Sequence, residues 1–80
     1  MKLFKTKDFY LACFLKAKGI KLHNAKGLPG EIYFVFQCVD GMDDIVKNFY
    51  NETETITAIK FVNAIRDIKA LMHNINMRGE

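Results

Sequence analysis

Serine is absent from this chain, and cysteine occurs only twice among its 80 residues. Nucleophilic catalysis needs an activated hydroxyl or thiol with a base beside it. Cys13 and Cys38 both lie in apolar stretches of sequence, where burial raises the pKa of a thiol and makes it unreactive. We therefore expect no catalytic residue and interpret the chain as a non-enzymatic protein.

Signatures of a metal or cofactor are also missing. The residues that could ligate zinc are Cys13, His23, Cys38 and His73. None of them forms the closely spaced pair that is typical of zinc ligands. The acidic cluster Asp40, Asp43 and Asp44 lacks the closing glutamate of a calcium loop and favours the start of a helix instead. No segment has the spaced glycines of a phosphate loop, so we expect neither a metal nor a cofactor.

Long apolar runs are absent too. The longest, from Phe9 to Leu15, has seven residues, whereas a membrane-spanning helix needs about 20. No apolar stretch near the N-terminus leads to a small-residue cleavage site, so no signal peptide is predicted. Two cysteines make no disulfide framework. We expect a cytoplasmic protein with reduced thiols and no membrane contact.

Acidic residues are scarce in the first part of the chain. Residues 1–30 contain seven lysines and one acid, Asp8, for a net charge of +6, whereas residues 31–80 have a net charge of −3. This split produces a molecular dipole, which can orient the chain on a polyanion or on a second copy of itself. The charge pattern does not choose between these partners.

What the chain has in excess is apolar surface. Half of the residues are hydrophobic, although a chain of this length folds as one small domain, residues 1–80, that buries only about 60% of the surface of its unfolded state. Such a domain is marginally stable alone. We therefore expect self-association, most simply a homodimer.

The first predicted element is a helix over residues 7–18. Thr6 is a suitable N-cap, and Gly19 suits the left-handed position that ends a helix. The middle of this segment is apolar on every side, which predicts burial on more than one side.

A β-hairpin is predicted next. Alternating apolar and polar residues over 20–23 indicate one strand, and the turn 27–30 contains Pro29 between glycines. Residues 31–39 form the second strand, whose two faces are both apolar, which predicts cover on both faces. A two-stranded hairpin needs a third strand, which residues 3–4 or a second subunit could supply.

Two more helices complete the predicted fold. One covers residues 42–50, and the other covers residues 58–74 behind the N-cap Thr57. A polar break at residues 51–54 separates them. The predicted fold class is α+β, a single small domain of helix–hairpin–helix–helix order (αββαα), with the short N-terminal third strand as an addition.

Several short motifs of the chain occur together in one known family. They are Thr6 to Ala12, Lys16 to Gly19, Val35-Phe36, Phe49-Tyr50-Asn51, Ala58, Phe61, Ala64-Ile65-Arg66 and Lys69. With them the chain resembles a small family of uncharacterised bacterial and phage or mobile-element proteins, classed as a domain of unknown function. The resemblance implies a phage or mobile-element setting, and it implies no functional residue.

Aromatic side chains suggest a protein–protein interaction module as the leading function. Tyrosine and phenylalanine are residue types that anchor interfaces. The interface candidates are Phe9, Tyr10, Tyr33, Val35 and Tyr50. We expect a homodimer formed through the second hairpin strand, the first helix or both. A host protein that the chain inhibits or regulates is a further possible partner.

The alternative function is that of a nucleic-acid-associated accessory protein. The lysine rim, which we define as Lys16, Lys18, Lys21 and Lys26, surrounds the end of the first helix and the start of the hairpin. Lysines contact phosphates without reading sequence, and a few such contacts give weak, salt-dependent binding. A third interpretation is that these lysines only complement helix dipoles and keep an apolar fold in solution.

Overall fold

The computed structural model describes residues 2–28 and 30–77 of the chain. The elements are β1 (Leu3–Thr6), α1 (Phe9–Ala17), β2 (Leu22–Lys26), β3 (Tyr33–Gln37), α2 (Met42–Tyr50) and α3 (Ala58–Met77). The fold is a small α+β domain of order βαββαα. It confirms the predicted class and the short N-terminal strand.

The three strands form an antiparallel sheet with β3 in the centre. β1 pairs with one side of β3, where Lys5 lies opposite Val35. β2 pairs with the other side, where Lys26 lies opposite Tyr33. The backbone of β3 is therefore paired on both sides, and a contact between subunits through this strand would have to use its side chains.

All three helices contribute to a core on one side of this sheet. Leu11–Leu15 of α1 are buried together with Phe34 and Phe36 of β3, Met42 of α2 and Ile68 of α3. α1 packs mainly against α3 and also touches β1. The apolar middle of α1 is thus covered on more than one side, as predicted, and the cover comes from the same chain.

The other side of the sheet is not covered by these helices, so the prediction of cover on both faces was wrong within the described chain. We call this side the open face. It consists of Leu3 and Lys5 of β1, Asn24 and Lys26 of β2, and Tyr33, Val35 and Gln37 of β3. Val35 is only 4% exposed although it lies outside the core cluster, because Lys5 and Asn24 flank it on the neighbouring strands.

The start of α1 differs from the prediction. Asp8 is the N-cap in place of Thr6: its Oδ1 accepts hydrogen bonds from the N–H groups of Tyr10 (3.0 Å) and Leu11 (3.1 Å). The hydroxyl of Thr6 instead accepts a bond from the N–H of Asp8 at 3.1 Å. The helix ends as predicted, because Gly19 has a φ of +90° after the C-cap, a conformation that glycine adopts without strain.

The hairpin between β2 and β3 depends on a bulge and a glycine. The register shifts between Leu22 and Asn24, and the Asn24 Oδ1 accepts the N–H of Ala25 at 2.9 Å. Gly27 has a φ of +121°, and a Cβ there would collide with the carbonyl oxygen of Glu31. Only glycine fits this turn. Pro29, the other predicted turn residue, lies outside the described residues.

The last two helices follow the prediction closely. α2 has the predicted bounds, and α3 begins at the predicted residue. Thr57 accepts a hydrogen bond from the N–H of Lys60 at 3.4 Å, which is the N-cap geometry expected of it. α3 extends to Met77, three residues beyond the predicted end.

The two faces of α3 give a direct test of this packing. Ile68 is 0% exposed and Ile59 is 64% exposed, so the same isoleucine-to-alanine change meets opposite environments in one helix. Ile68→Ala should lower the free energy of unfolding by about 2–5 kcal/mol through lost burial and a cavity. Ile59→Ala should change it by less than about 0.5 kcal/mol. Urea unfolding followed by circular dichroism measures both, and equal losses would contradict the orientation of α3.

Candidate binding surface

The five interface candidates fall in two separate places. Phe9 and Tyr10 begin α1 and Tyr50 ends α2, whereas Tyr33 and Val35 lie on the open face. The structure therefore does not unite them into one surface. Each place has its own geometry.

Asp8 organises the first place. The hydroxyl of Tyr50 donates a hydrogen bond to the Oδ2 of Asp8 at 2.7 Å, and this bond raises the pKa of Tyr50. The rings of Phe9 and Tyr10 meet edge to face, 5.2 Å between centroids. Tyr10 is 61% exposed and Tyr50 is 55% exposed, so both remain available for contact with another molecule.

The lysine rim is partly neutralised. The Nζ of Lys18 lies 3.0 Å from the Oε1 of Glu54 and 5.7 Å from the centroid of the Phe14 ring. Lys16 lies 4.0 Å from the Oδ2 of Asp67. Lys16 and Lys18, half of the lysine rim, are thus paired with carboxylates that lie far from them in the sequence.

A different basic cluster lies on and beside the open face. The Nζ of Lys5 is 5.9 Å from the centroid of the Tyr33 ring, and Lys26 is the cross-strand partner of Tyr33. Lys5, Thr6, Lys7 and Tyr33 line a shallow hollow of about 300 Å³. We call Lys5, Lys7 and Lys26 the sheet lysines, and together they surround one half-buried aromatic ring.

The sheet lysines lie outside the ion pairs found in the described part of the chain. The neighbouring acids in sequence are Asp8, which follows Lys7, and Glu31, which lies two residues before Tyr33. Three lysines against these two carboxylates leave a net positive charge around Tyr33.

Sequence reasoning selected Tyr33 and Lys26 but missed Lys5 and Lys7. Lys5 alternates with the inward-facing Phe4 and Thr6, the period-2 pattern that places side chains on opposite faces of a strand. That signal was present. The sequence does not show that β1 pairs with β3, and this pairing is what places Lys5 beside Tyr33.

The candidate metal ligands do not assemble. Cys13 is buried and Cys38 is half-buried, while His23 and His73 are exposed. No group of three or more histidine, cysteine or acidic residues in the described part of the chain could hold a metal ion. Asp43 lies with Asp44 in the first turn of α2, where carboxylates complement the helix dipole.

The thiol of Cys13 is held in an unreactive state. Burial is the main cause and raises its pKa to about 11. The charge of Lys69 lowers the pKa by a smaller amount, and the charge of Asp8 raises it slightly further. A thiol with such a pKa has very little thiolate at neutral pH. Cys13 thus behaves as a small core residue.

None of the helices in the described ranges combines the length and apolar character that crossing a bilayer requires.

Fold and surface together define a small α+β domain with one open, basic and aromatic sheet face. The chain belongs to the family described as domain of unknown function DUF5659, whose match covers residues 1–74. No curated protein and no solved structure matches the chain.

The two cysteines should differ sharply in reactivity. Because burial raises the pKa of Cys13 from 9.0 to about 11, its thiolate fraction at neutral pH is about 100-fold below that of an ordinary thiol. In a Cys38→Ala variant, Ellman's reagent should therefore react slowly with the folded protein and rapidly after urea is added. Cys13→Ala is the matched control, in which the half-buried Cys38 reacts without denaturant. Rapid labelling of the folded Cys38→Ala variant would contradict the burial of Cys13.

The Lys18–Glu54 pair predicts a pH dependence of stability. The hydrogen bond from Lys18 lowers the pKa of Glu54. A carboxylate whose pKa is lower in the folded state than in the unfolded state stabilises the folded state at pH values above its ordinary pKa. This stabilisation is lost as the pH falls through the lowered pKa. Glu54→Gln should therefore reduce the urea midpoint at neutral pH, and its effect should shrink progressively as the pH falls below the ordinary carboxyl pKa of about 4.3. Glu52→Gln, two residues away and outside both ion pairs found in the described ranges, should leave the midpoint unchanged across the same pH range.

Proposed function

We propose that this protein is a non-enzymatic binding module that binds a polyanion through the open face of its sheet. The observation that carries the proposal is the position of the sheet lysines around Tyr33, on the side of the sheet that the helices leave uncovered. Lysines without carboxylate partners attract anions as point charges, and an aromatic ring among them adds contact area.

Charge also argues against the open face as a homodimer interface. A twofold dimer places the same patch of both subunits in contact. On this face, the sheet lysines of one copy would approach those of the other, and such like-charge contacts cost several kcal/mol. An anionic partner removes this repulsion, whereas a second copy creates it.

The wider charge distribution supports the same partner. The net charge of +6 in residues 1–30 belongs to β1, α1, β2 and their connections, which include both outer strands of the sheet. The acids are concentrated later in the chain, as at the start of α2. A dipole of this kind steers an anion toward the sheet.

A protein contact is the second candidate, and it is favoured by a different observation. Tyr10 and Tyr50 are mostly exposed at the junction of α1 and α2, and exposed tyrosines are frequent anchors of interfaces. We propose this junction, with Phe9, as the surface for the predicted homodimer or for a host protein. The burial of the α1 middle inside a single chain takes support away from a dimer built on that helix.

We also propose a cytoplasmic site of action in a phage or mobile-element setting. This part of the proposal depends on the family resemblance of the sequence motifs and on the reduced thiols expected there. The proposed setting does not depend on the geometry of the open face.

Retention on immobilised heparin tests the polyanion proposal. A Lys5→Glu, Lys7→Glu, Lys26→Glu variant changes the net charge from +3 to −3 and should elute at much lower salt than the wild type, because phosphate-like contacts are lost. The matched control is Lys47→Glu, Lys60→Glu, Lys69→Glu, which makes the same charge change on the helices. It should elute close to the wild type.

Two results would contradict this proposal. Equal losses of retention in both variants would indicate a nonspecific effect of net charge. Loss confined to a Lys16→Glu, Lys18→Glu, Lys21→Glu variant would place binding on the lysine rim instead of the open face. Circular dichroism of each variant confirms that the fold is intact.

A further inference from the structure

We infer that the polyanion is a single-stranded nucleic acid and that one of its bases stacks on Tyr33. This inference depends on the polyanion-binding function proposed above and specifies its ligand. It follows from three properties of the open face: its three strands are not covered by the helices, Tyr33 lies between lysines, and the amide side chains of Asn24 and Gln37 lie further along the same face.

The placement of the lysines suits a strand that crosses the sheet. β1 and β2 lie on either side of β3, so their backbones are about 10 Å apart. Lys5 and Lys26 therefore flank Tyr33 from opposite sides. A base on the ring would have its neighbouring phosphates within reach of a lysine on each side, and Lys7 borders the same hollow.

Tyr33 has the properties of a stacking platform. Its ring is half-buried on the central strand, and the Lys5 ammonium lies 5.9 Å from its centroid. An exposed cation–π contact of this kind is weaker than base stacking on an aromatic side chain. A base can therefore replace Lys5 over the ring, and the freed ammonium can move to a phosphate.

The same face offers hydrogen-bonding groups for base edges. Asn24 is the cross-strand partner of Val35 on the open face. Its Oδ1 is used by the N–H of Ala25, which leaves the two donors of its amide nitrogen. Gln37 adds a second amide two residues from Val35 on β3.

A duplex or an acidic peptide fits these features less well. In a duplex the base faces are stacked on one another, so no base can stack on the Tyr33 ring unless it is first flipped out of the helix. An acidic peptide supplies negative charge but no base to stack on the ring. Single strands supply both phosphates and accessible bases.

Fluorescence anisotropy tests the inference with labelled oligothymidylate and oligouridylate of about 12 nucleotides. Wild-type protein should bind both at low salt, more tightly than the matching duplex or a glutamate peptide of equal length. The plot of log K against log salt concentration should have a slope of about −2 for three lysine contacts. Tyr33→Leu should weaken binding about 5- to 160-fold. Tyr33→Phe, which keeps the ring, and Ile59→Ala, which removes an exposed apolar side chain on α3, should bind like the wild type.

Aromatic NMR spectra of the unmodified protein give a second measurement that needs no variant. Stacking should shift the Tyr33 ring protons upfield when the oligonucleotide is added and leave those of Tyr10 in place. Unshifted Tyr33 signals, full binding by Tyr33→Leu, or equal binding of duplex or glutamate peptide would each overturn the inference. With heparin retention still dependent on the sheet lysines, those results would leave the polyanion-binding function intact. Loss of that dependence would overturn both.

Discussion

The double pairing of β3 is the constraint on which the rest of this structure depends. Because β1 and β2 bond to its two sides, its alternate side chains are committed to opposite layers. Phe34 and Phe36 enter the core with all three helices, and Tyr33 and Val35 face away from them. A single strand thus creates both the hydrophobic core and the surface proposed to bind. β3 therefore presents large apolar residues to the core and a tyrosine, among the sheet lysines, to the open face.

Asp8 makes a second connection that the fold needs. One of its oxygens caps α1, and the other accepts the Tyr50 hydroxyl from the end of α2. These residues are 42 positions apart in sequence. Met42 anchors α2 in the core, and this bond and the contact between the Phe49 and Phe14 rings, 5.0 Å between centroids, fix the far end of the helix. The exposed aromatic surface at this junction is therefore supported by specific geometry.

Local signals in the sequence predicted the helices well. α2 was bounded correctly because Gly41 and the two acids after it mark its start within a few residues. The start of α1 was misjudged because Thr6 and Asp8 are both good N-caps, and the choice between them depends on β1, which continues to Thr6 opposite Phe34. That pairing joins residues 28 positions apart in sequence, which no local pattern records.

The same distinction between local and distant contacts explains what sequence could show of the site. Tyr33 was selected by residue type, and Lys26 by its place in a cluster of lysines. Their direct opposition across two strands depends on the bulge between Leu22 and Asn24, which shifts every later residue of β2 along its partner. The ion pair between Lys18 and Glu54 also cannot be predicted from local sequence. It neutralises one lysine of the predicted lysine rim.

The side chains that surround Tyr33 are carried almost entirely by paired strands, and Gly27 packs closely against the backbone of Glu31 at the start of the turn. The surface is therefore already ordered before any partner arrives, so association requires little loss of backbone entropy. A preformed surface with few anchoring groups is suited to rapid binding and rapid release. We expect the domain to act through brief, repeated encounters, with lasting occupancy only where several copies are brought together on one partner.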